Sequence, residues 1–312
     1  MIVARSLNDV KYNVNSVVTV GTFDGVHRGH RSILNELTTR AEMRHGRSVL
    51  ITFDPHPREV VGKGSVQWLT TLDERMTLLQ PTGIDVALVL QFTYEFSRQS
   101  SREFYEKYVV RGLGVSEVIV GYDHMFGRDR EAGIHELRSM GQEYGFTISV
   151  IDPVSVKGTI ISSSAVRELL RKGNVEQAGK FLQRPYSFQG VVVEGEHRGT
   201  EIGFPTANIQ PDHDHQIIPA NGVYCVNITV EGKRYGAMMN IGVRPTFHDD
   251  NVRILEAHLF GFEGILYNKR IIVEFLQWLR PEKRFLSVEQ LLEQLKQDRN
   301  DCLKFLAGNV SS

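Results

Sequence analysis

The chain has 312 residues, a formal net charge of −1 at pH 7, 41% hydrophobic residues and two cysteines. This charge gives no general attraction to nucleic acid or to an anionic membrane, and two cysteines cannot build a disulfide framework. The opening residues lack the apolar core of a signal peptide, and no apolar run approaches the length of a membrane span. We therefore expect a cytoplasmic protein of two domains, with no nucleic acid or membrane partner. The sequence leaves the oligomeric state open.

In the first half of the chain, short apolar strands alternate with amphipathic helices. Strands are predicted at 17–20, 49–53, 86–90, 118–121 and 148–151, and capping boxes at 71–74 and 100–103 mark helix starts. This rhythm predicts an α/β domain built on a doubly wound parallel sheet, over residues 1–184. Ligands of such sheets bind at the carboxyl ends of the strands.

Residues 21–30 read Gly-Thr-Phe-Asp-Gly-Val-His-Arg-Gly-His, directly after the first of these strands and before a helical period. Glycines let the backbone approach a ligand, and the free N–H groups of a helix start favour an anion. His27 and His30 lie three residues apart, so both imidazoles project from one side of the helix entrance and suit phosphate oxygens. Zinc ligation by the same pair remains an alternative, although neither Cys225 nor Cys302 lies nearby in the sequence.

The whole string resembles the nucleotidylyltransferase superfamily. The resemblance implies that this turn binds the triphosphate of ATP or CTP through Gly21, Thr22, Phe23 and Asp24 together with the two histidines. The common Gly-x-x-x-x-Gly-Lys-Ser/Thr and Gly-x-Gly-x-x-Gly phosphate loops do not occur in the sequence.

A second candidate anion site opens a helix near residue 162. Hydroxyls, free N–H groups and a guanidinium would come together there, from Ser162, Ser163, Ser164 and Arg167. A plain helix cap is the alternative interpretation. Residues 120–128 follow another strand and should lie at the same ligand-facing edge, although buried aromatic residues in an ordinary turn would explain them equally well.

After Pro185 the apolar pattern changes to a period of two. Strands are predicted at 188–194, 224–230, 235–241, 253–260 and 271–279, with a turn at Glu231-Gly232 and a closing helix from Ser287. Antiparallel strands with one terminal helix predict a small β-barrel over residues 185–312.

Two polar features stand out in this half. Thr206 and Asn208 occupy alternate positions of an extended stretch, and such hard oxygen donors suit Mg²⁺, although a structural lead-in to a strand is the alternative. Glu256 lies inside an apolar strand, where it is either a general base for a hydroxyl nucleophile or a residue on the solvent face.

Taken in order, these motifs resemble the prokaryotic bifunctional riboflavin kinase/FAD synthetase family. The motifs that carry the match are 21–30, 52–59, 121–127, 161–167, 203–208, 240–246, Glu256 and 279–285. The resemblance implies an N-terminal FMN adenylyltransferase and a C-terminal riboflavin kinase with a six-stranded barrel, using ATP and Mg²⁺ to convert riboflavin to FMN and FAD. It further implies that Gly203, Thr206 and Asn208 hold Mg-ATP, that Glu256 is the kinase base, and that Asp123, Arg280 and Phe285 contact flavin.

Two positions depart from the family pattern, because His124 replaces a frequent Phe and Thr200 a frequent basic residue. Two alternative functions predict different sets of motifs. A sister nucleotidylyltransferase acting on pantetheine phosphate or nicotinamide mononucleotide should lack the motifs at 203–208 and Glu256. A non-catalytic flavin-binding or regulatory protein would tend to lose His30, Thr206 or Glu256. All of these residues are present.

Overall fold

The computed structural model describes residues 1–62, 67–122, 133–194, 203–244 and 252–309. The chain falls into two compact units, Met1–Ser163 and Ser164–Ser312. Each unit has its own hydrophobic core. The predicted division at 184/185 lies after two helices of the second unit and stays a prediction.

The first unit is built on a parallel sheet whose order is β1-β4-β3-β2-β5-β6. Its strands are β1 Ile2–Ala4, β2 Ser16–Val20, β3 Arg47–Asp54, β4 Val86–Gln91, β5 Val115–Gly121 and β6 Thr147–Ile151. In the centre, β2 pairs with β3 on one side and with β5 on the other. The interior strands are buried on both faces, which explains their continuous Val, Ile and Leu runs.

Helices cover the sheet, and two of them begin at the predicted capping boxes. They are α1 Arg28–Met43, α2 Pro57–Val60, α3 Leu72–Leu79, α4 Tyr94–Ser97, α5 Ser101–Phe104, which continues as a π-helical segment Tyr105–Leu113, and α6 Ile134–Tyr144. Capping boxes at Thr71/Glu74 and Ser100/Glu103 are both present. A small hairpin of β7 Ser155–Val156 and β8 Thr159–Ile160 follows β6.

The second unit contains a closed antiparallel barrel with the order β10-β13-β12-β11-β14-β9. Its strands are β9 Tyr186–Val193, β10 Ala207–Pro211, β11 Gly222–Val230, β12 Lys233–Arg244, β13 Val252–Leu259 and β14 Arg270–Arg280. Val230 pairs with Lys233, so Glu231-Gly232 forms the predicted two-residue turn. The parallel sheet and the barrel confirm the predicted fold class.

In the described part of the second unit, three helices accompany the barrel: α7 Ser163–Arg171, α8 Val175–Leu182 and the terminal α9 Val288–Asn309. Helix α8 packs on β14 and β9, and α9 packs on β12 and β11. Cys302 of α9 and Cys225 of β11 are buried free thiols in this core. Among the described residues, no helix is both long and apolar enough to cross a membrane.

Candidate active sites

The turn at residues 21–30 lies at the carboxyl edge of the parallel sheet, between β2 and α1. From β2 the chain continues to β3 and β4 on one side of the sheet and later to β5 and β6 on the other. This reversal of strand order opens the crevice where ligands of doubly wound sheets bind. The topology therefore places the histidine-bearing turn at the expected ligand position.

The turn has an unusual backbone, because three of its residues have positive φ angles. They are 50° at Phe23, 83° at Gly25 and 42° at Val26. Only glycine adopts this region without steric cost, so the conformation at Phe23 and Val26 must be held by surrounding contacts.

Asp24 supplies one set of these contacts. Its carboxylate is almost fully buried and accepts hydrogen bonds from the N–H groups of Leu69 and Thr70 and from the Thr70 hydroxyl, at 3.0–3.1 Å. The Thr70 hydroxyl oxygen in turn accepts from the Gly25 N–H at 3.0 Å. These contacts make Asp24 an anchor of the turn, and its predicted contact with nucleotide stays a prediction.

The structure brings His27 and His30 together as a stacked pair, with ring centroids 3.6 Å apart and an interplanar angle of 16°. His27 caps α1, and its Nδ1 accepts the His30 backbone N–H at 3.3 Å. Because Nδ1 acts as an acceptor, the proton of neutral His27 resides on Nε2. Gly29 makes room for this arrangement, since a Cβ there would lie 3.2 Å from the His27 ring.

Of the residues in the serine cluster, Ser162 and Ser163 belong to the first unit, and Ser164 belongs to the second. The Ser163 hydroxyl donates to the Asp24 backbone carbonyl at 2.9 Å, which ties the start of α7 to the turn within the first unit. Ser164 and Arg167 follow on α7 in the second unit, and Arg167 is buried. The anion-binding roles of Ser162, Ser164 and Arg167 stay predictions.

Arg75 of α3 is a residue of this site that the sequence analysis missed. Its Nη1 donates to the Thr22 carbonyl at 2.8 Å and to the Thr52 hydroxyl at 3.1 Å. Burial lowers the pKa of the Arg75 guanidinium, and the carboxylates of Asp24, Asp54 and Glu59 act in the opposite direction. The signal in the sequence was only an arginine in an amphipathic helix, which normally faces solvent.

Within the described ranges, no three His, Cys, Asp or Glu side chains come together as a metal site.

In the barrel, three polar residues share one row across adjacent strands. Asn208 of β10 pairs with Glu256 of β13, and Glu256 pairs with Asn240 of β12. Directly opposite residues of antiparallel strands project to the same face, so these two amides flank the Glu256 carboxylate. Their neighbours Ala257 and Met239 are buried in the barrel interior, which places the row on the outer face. Asn240 belonged to a recognised motif, but its position beside Glu256 depends on the register.

Thr206 directly precedes β10, and the nearby chain is fixed by His258. The His258 Nδ1 lies 2.8 Å from the Pro205 carbonyl, which can only accept, so Nδ1 carries the proton. Burial lowers the pKa of His258, Arg299 lowers it further, and the bond to Pro205 opposes both effects. The Phe204 ring packs against the His258 ring in a tilted geometry. Phe204 also belongs to the hydrophobic core under α9. Gly203, with φ of 78°, forms the turn before this segment.

Arg280 and Phe285 are also neighbours, with the guanidinium carbon 5.8 Å from the ring centroid. Arg280 Nε and Nη2 donate to the Asp298 carboxylate of α9 at 2.7–3.1 Å, and Nη1 donates to the Pro281 carbonyl. Asp298 is a second residue that the sequence analysis missed. The flavin contacts of Arg280 and Phe285 stay predictions. Asp123, His124 and Thr200 lie outside the described residues.

Comparison with known proteins assigns both halves. The FAD synthetase family profile matches residues 9–165, and the riboflavin kinase profile matches residues 182–306. A bifunctional riboflavin kinase/FMN adenylyltransferase of Listeria monocytogenes is 33% identical over 297 residues, covering 95% of this chain and 94% of its own. The Pseudomonas fluorescens protein of the same description is 36% identical over 282 residues, covering 90% of each chain. A crystal structure described as a macrolide-efflux protein from Streptococcus pneumoniae superimposes with a TM-score of 0.86 at 29% identity, covering 96% of this chain and 97% of its own.

The fold, the two sites and these matches define a transferase with two active halves. The chain belongs to the family of bifunctional riboflavin kinase/FMN adenylyltransferases, with the adenylyltransferase half first and the kinase half second.

Proposed function

We propose that residues 1–184 form the domain that adenylylates FMN to FAD and that residues 185–312 form the domain that phosphorylates riboflavin to FMN. The substrates are riboflavin, FMN and ATP, and the reactions take place in the cytoplasm. The observation that carries the residue assignment is the row in which Asn208 and Asn240 flank Glu256. It places one carboxylate between two neutral amides, so Glu256 can act as a base while the amides contact the phosphoryl donor.

In the kinase half, Glu256 accepts the proton of the ribityl 5′-hydroxyl as that oxygen attacks the γ-phosphorus of ATP. The products are FMN and ADP. Phosphoryl transfer asks the protein mainly for positioning and charge neutralisation, and a positioned base adds a rate factor of about 10²–10⁴. Arg280 and Phe285 would contact the flavin, with the Arg280 guanidinium held in place by Asp298.

The donors beside Glu256 fit a magnesium ion. Asn208 offers an amide oxygen opposite the carboxylate, and Thr206, just before β10, offers a hydroxyl. Mg²⁺ prefers a few hard oxygen ligands together with substrate phosphates. Bound there with ATP, it would neutralise charge on the triphosphate. Gly203 would let the chain approach the nucleotide closely.

In the adenylyltransferase half, the FMN phosphate is already an anion and needs no base. It attacks the α-phosphorus of ATP, and pyrophosphate leaves. The turn at 21–24 and the pair His27 and His30 hold the triphosphate, with His27 donating from Nε2. Arg167 and the serines at 162–164 add anion contacts, and Asp123 contacts the flavin. Preorganised donors of this kind act on the charge that builds on the leaving group.

The test is to incubate the purified protein with riboflavin and Mg-ATP and to resolve the flavins by chromatography, for wild type and Glu256→Gln. We expect the variant to lose FMN formation from riboflavin and to keep FAD formation from supplied FMN. Glu274→Gln is the matched control, because Glu274 is another strand glutamate of the barrel, ion-paired with Arg234. Loss of both activities in a folded Glu256→Gln protein would contradict the assignment.

A further inference from the structure

Arg75 occupies an unusual place for an arginine, since it is only 5% exposed. It reaches from α3 beneath the turn that carries the histidines. Its Nη1 donates to the Thr22 carbonyl and to the Thr52 hydroxyl, and the Thr52 hydroxyl also donates to the Thr22 carbonyl, at 3.2 Å. One carbonyl oxygen of the turn therefore receives two hydrogen bonds from beneath.

Burying the Arg75 guanidinium has a free-energy cost. A buried guanidinium loses its hydration, and the Arg75 Nε makes no hydrogen bond to another described residue. The carboxylates of Asp24, Asp54 and Glu59 favour the charged form, but hydrogen bonds from the guanidinium to them are absent among the described contacts. A hydrophobic side chain would fill the same space without the desolvation penalty. The hydrogen bond to Thr22 is the specific feature that such a side chain could not supply.

The bond to Thr22 sets the direction of the next N–H group. The Thr22–Phe23 peptide is trans, so its C=O and N–H bonds lie in the peptide plane and point in opposite directions. With the carbonyl pinned toward Arg75, the Phe23 N–H faces away from α3. Phe23 itself has φ of 50°, a conformation that a non-glycine residue leaves unless it is held. Its ring lies 4.7 Å from the His30 ring.

We propose that Arg75 is a positioning residue for adenylyl transfer, which fixes the Thr22–Phe23 peptide so that the Phe23 N–H and the Phe23 ring stay aligned beside His30. Thr52 is its partner in this task, because its hydroxyl donates to the same carbonyl oxygen. The inference rests on the proposed role of the turn and its histidines in holding the triphosphate.

Removing the guanidinium should release the peptide and misalign the turn. A displacement of about 1 Å near a reacting group can cost about 10²-fold in rate, so we expect Arg75→Met to lower kcat for FAD synthesis by about that factor. The KM for FMN should change little. Arg75→Lys can restore a hydrogen bond to the Thr22 carbonyl and should recover most of the loss. Thr52→Val keeps the shape but deletes the hydroxyl, which donates one hydrogen bond to the Thr22 carbonyl and accepts one from Arg75. Because Arg75 still holds the same carbonyl oxygen, the variant should lower kcat by only about 2- to 10-fold.

Because both side chains act on one oxygen, their effects should not multiply. The double variant Arg75→Met/Thr52→Val should lose less than the product of the two single losses. A residue with a merely structural role would lower the melting temperature without this pattern in kcat. The matched control is Arg102→Met, since Arg102 is an exposed arginine of the same unit, paired with Glu143.

The experiment measures kcat and KM for FAD synthesis from FMN and Mg-ATP in the full-length variants, with riboflavin phosphorylation by the same chains as internal control. A folded Arg75→Met enzyme with kcat within threefold of wild type would overturn the inference. If Arg75→Met fails to fold, Thr52→Val provides the test. An unchanged kcat for FAD synthesis by Thr52→Val would also overturn the inference. Full FAD synthesis by His30→Ala would instead refute the proposed histidine role, whatever the Arg75 variants do.

Discussion

Asp298→Ala removes the carboxylate that holds the Arg280 guanidinium on the barrel. Three contacts of 2.7–3.1 Å with Arg280 are lost, together with one of 2.9 Å from Gln294. The side chains of Asp298 and Arg280 are only 4% and 18% exposed. Breaking a buried pair by deleting one partner costs about 3–5 kcal/mol. Water can still reach the partly exposed guanidinium, so we place the loss in free energy of unfolding slightly lower, at about 2–3 kcal/mol. Asp298→Asn keeps one acceptor and should lose about half as much.

The assay is urea unfolding of the full-length chain followed by the fluorescence of Trp278 on β14. The only other tryptophan is Trp68 in the first unit, so a Trp68→Phe background leaves Trp278 as the sole reporter. With a urea m-value of about 1–3 kcal/mol/M, the midpoint should fall by about 0.7–3 M. The KM for riboflavin should rise as well, because the guanidinium loses its fixed orientation beside Phe285.

Asp301→Ala is the matched control on the same helix. Asp301 accepts a hydrogen bond from Gln297 one turn earlier, just as Asp298 accepts one from Gln294. The Asp301 side chain, however, is 45% exposed, and its carboxylate lies 4.0 Å from the Lys304 ammonium group. Exposed pairs contribute about 0–1 kcal/mol. Equal destabilisation by Asp298→Ala and Asp301→Ala would refute the reasoning, because burial and the Arg280 contact would then contribute nothing.

Three further predictions concern single positions. Gly29→Ala should displace the His27 ring, because the new Cβ would lie 3.2 Å from it. We expect kcat for FAD synthesis to fall about tenfold or more while helix α1 gains stability, and measuring both kcat and the melting temperature tests this. Burial lowers the pKa of His258 below its ordinary value of 6.5, so the unfolded state binds more protons and barrel stability should fall as the pH drops below about 6.5. His258→Gln should show a smaller difference in urea midpoint between pH 7.5 and 5.5, and an unchanged difference would exclude His258 as the cause. Thr206→Val should weaken Mg²⁺-dependent riboflavin phosphorylation while Thr206→Ser retains much of it, measured as kinase rate against Mg²⁺ at saturating riboflavin; an unchanged Val profile would leave this segment a structural lead-in.

Local patterns in the sequence were enough to predict most of the elements. Strands β2 to β6 carry continuous apolar runs, and β11 and β12 alternate apolar and polar residues. Each pattern reflects how one strand is buried, so it can be recognised from a few consecutive residues. Capping boxes at Thr71 and Ser100 and the turn at Glu231-Gly232 are likewise local, because their hydrogen bonds close within a few residues. The edge strand Ile2–Ala4 and the π-helical segment Tyr105–Leu113 were not predicted, since three residues show no period and a π-helix differs from an α-helix only in its hydrogen bonds.

In the two sites, too, some features are local in the sequence and others depend on residues that are far apart in it. The sequence by itself determined that His27 and His30 share a helix entrance and that Thr206, Asn208 and Glu256 lie in or beside strands of one barrel. Only the tertiary structure decided which residues meet across the sequence. The register of three strands places Asn240 and Asn208 on either side of Glu256. Side chains from distant helices reach both candidate sites, where Arg75 lies under Thr22 and Asp298 contacts Arg280. No local pattern encodes these contacts, because a charged residue on a helix normally faces water and becomes buried only where the packed neighbours supply its partners.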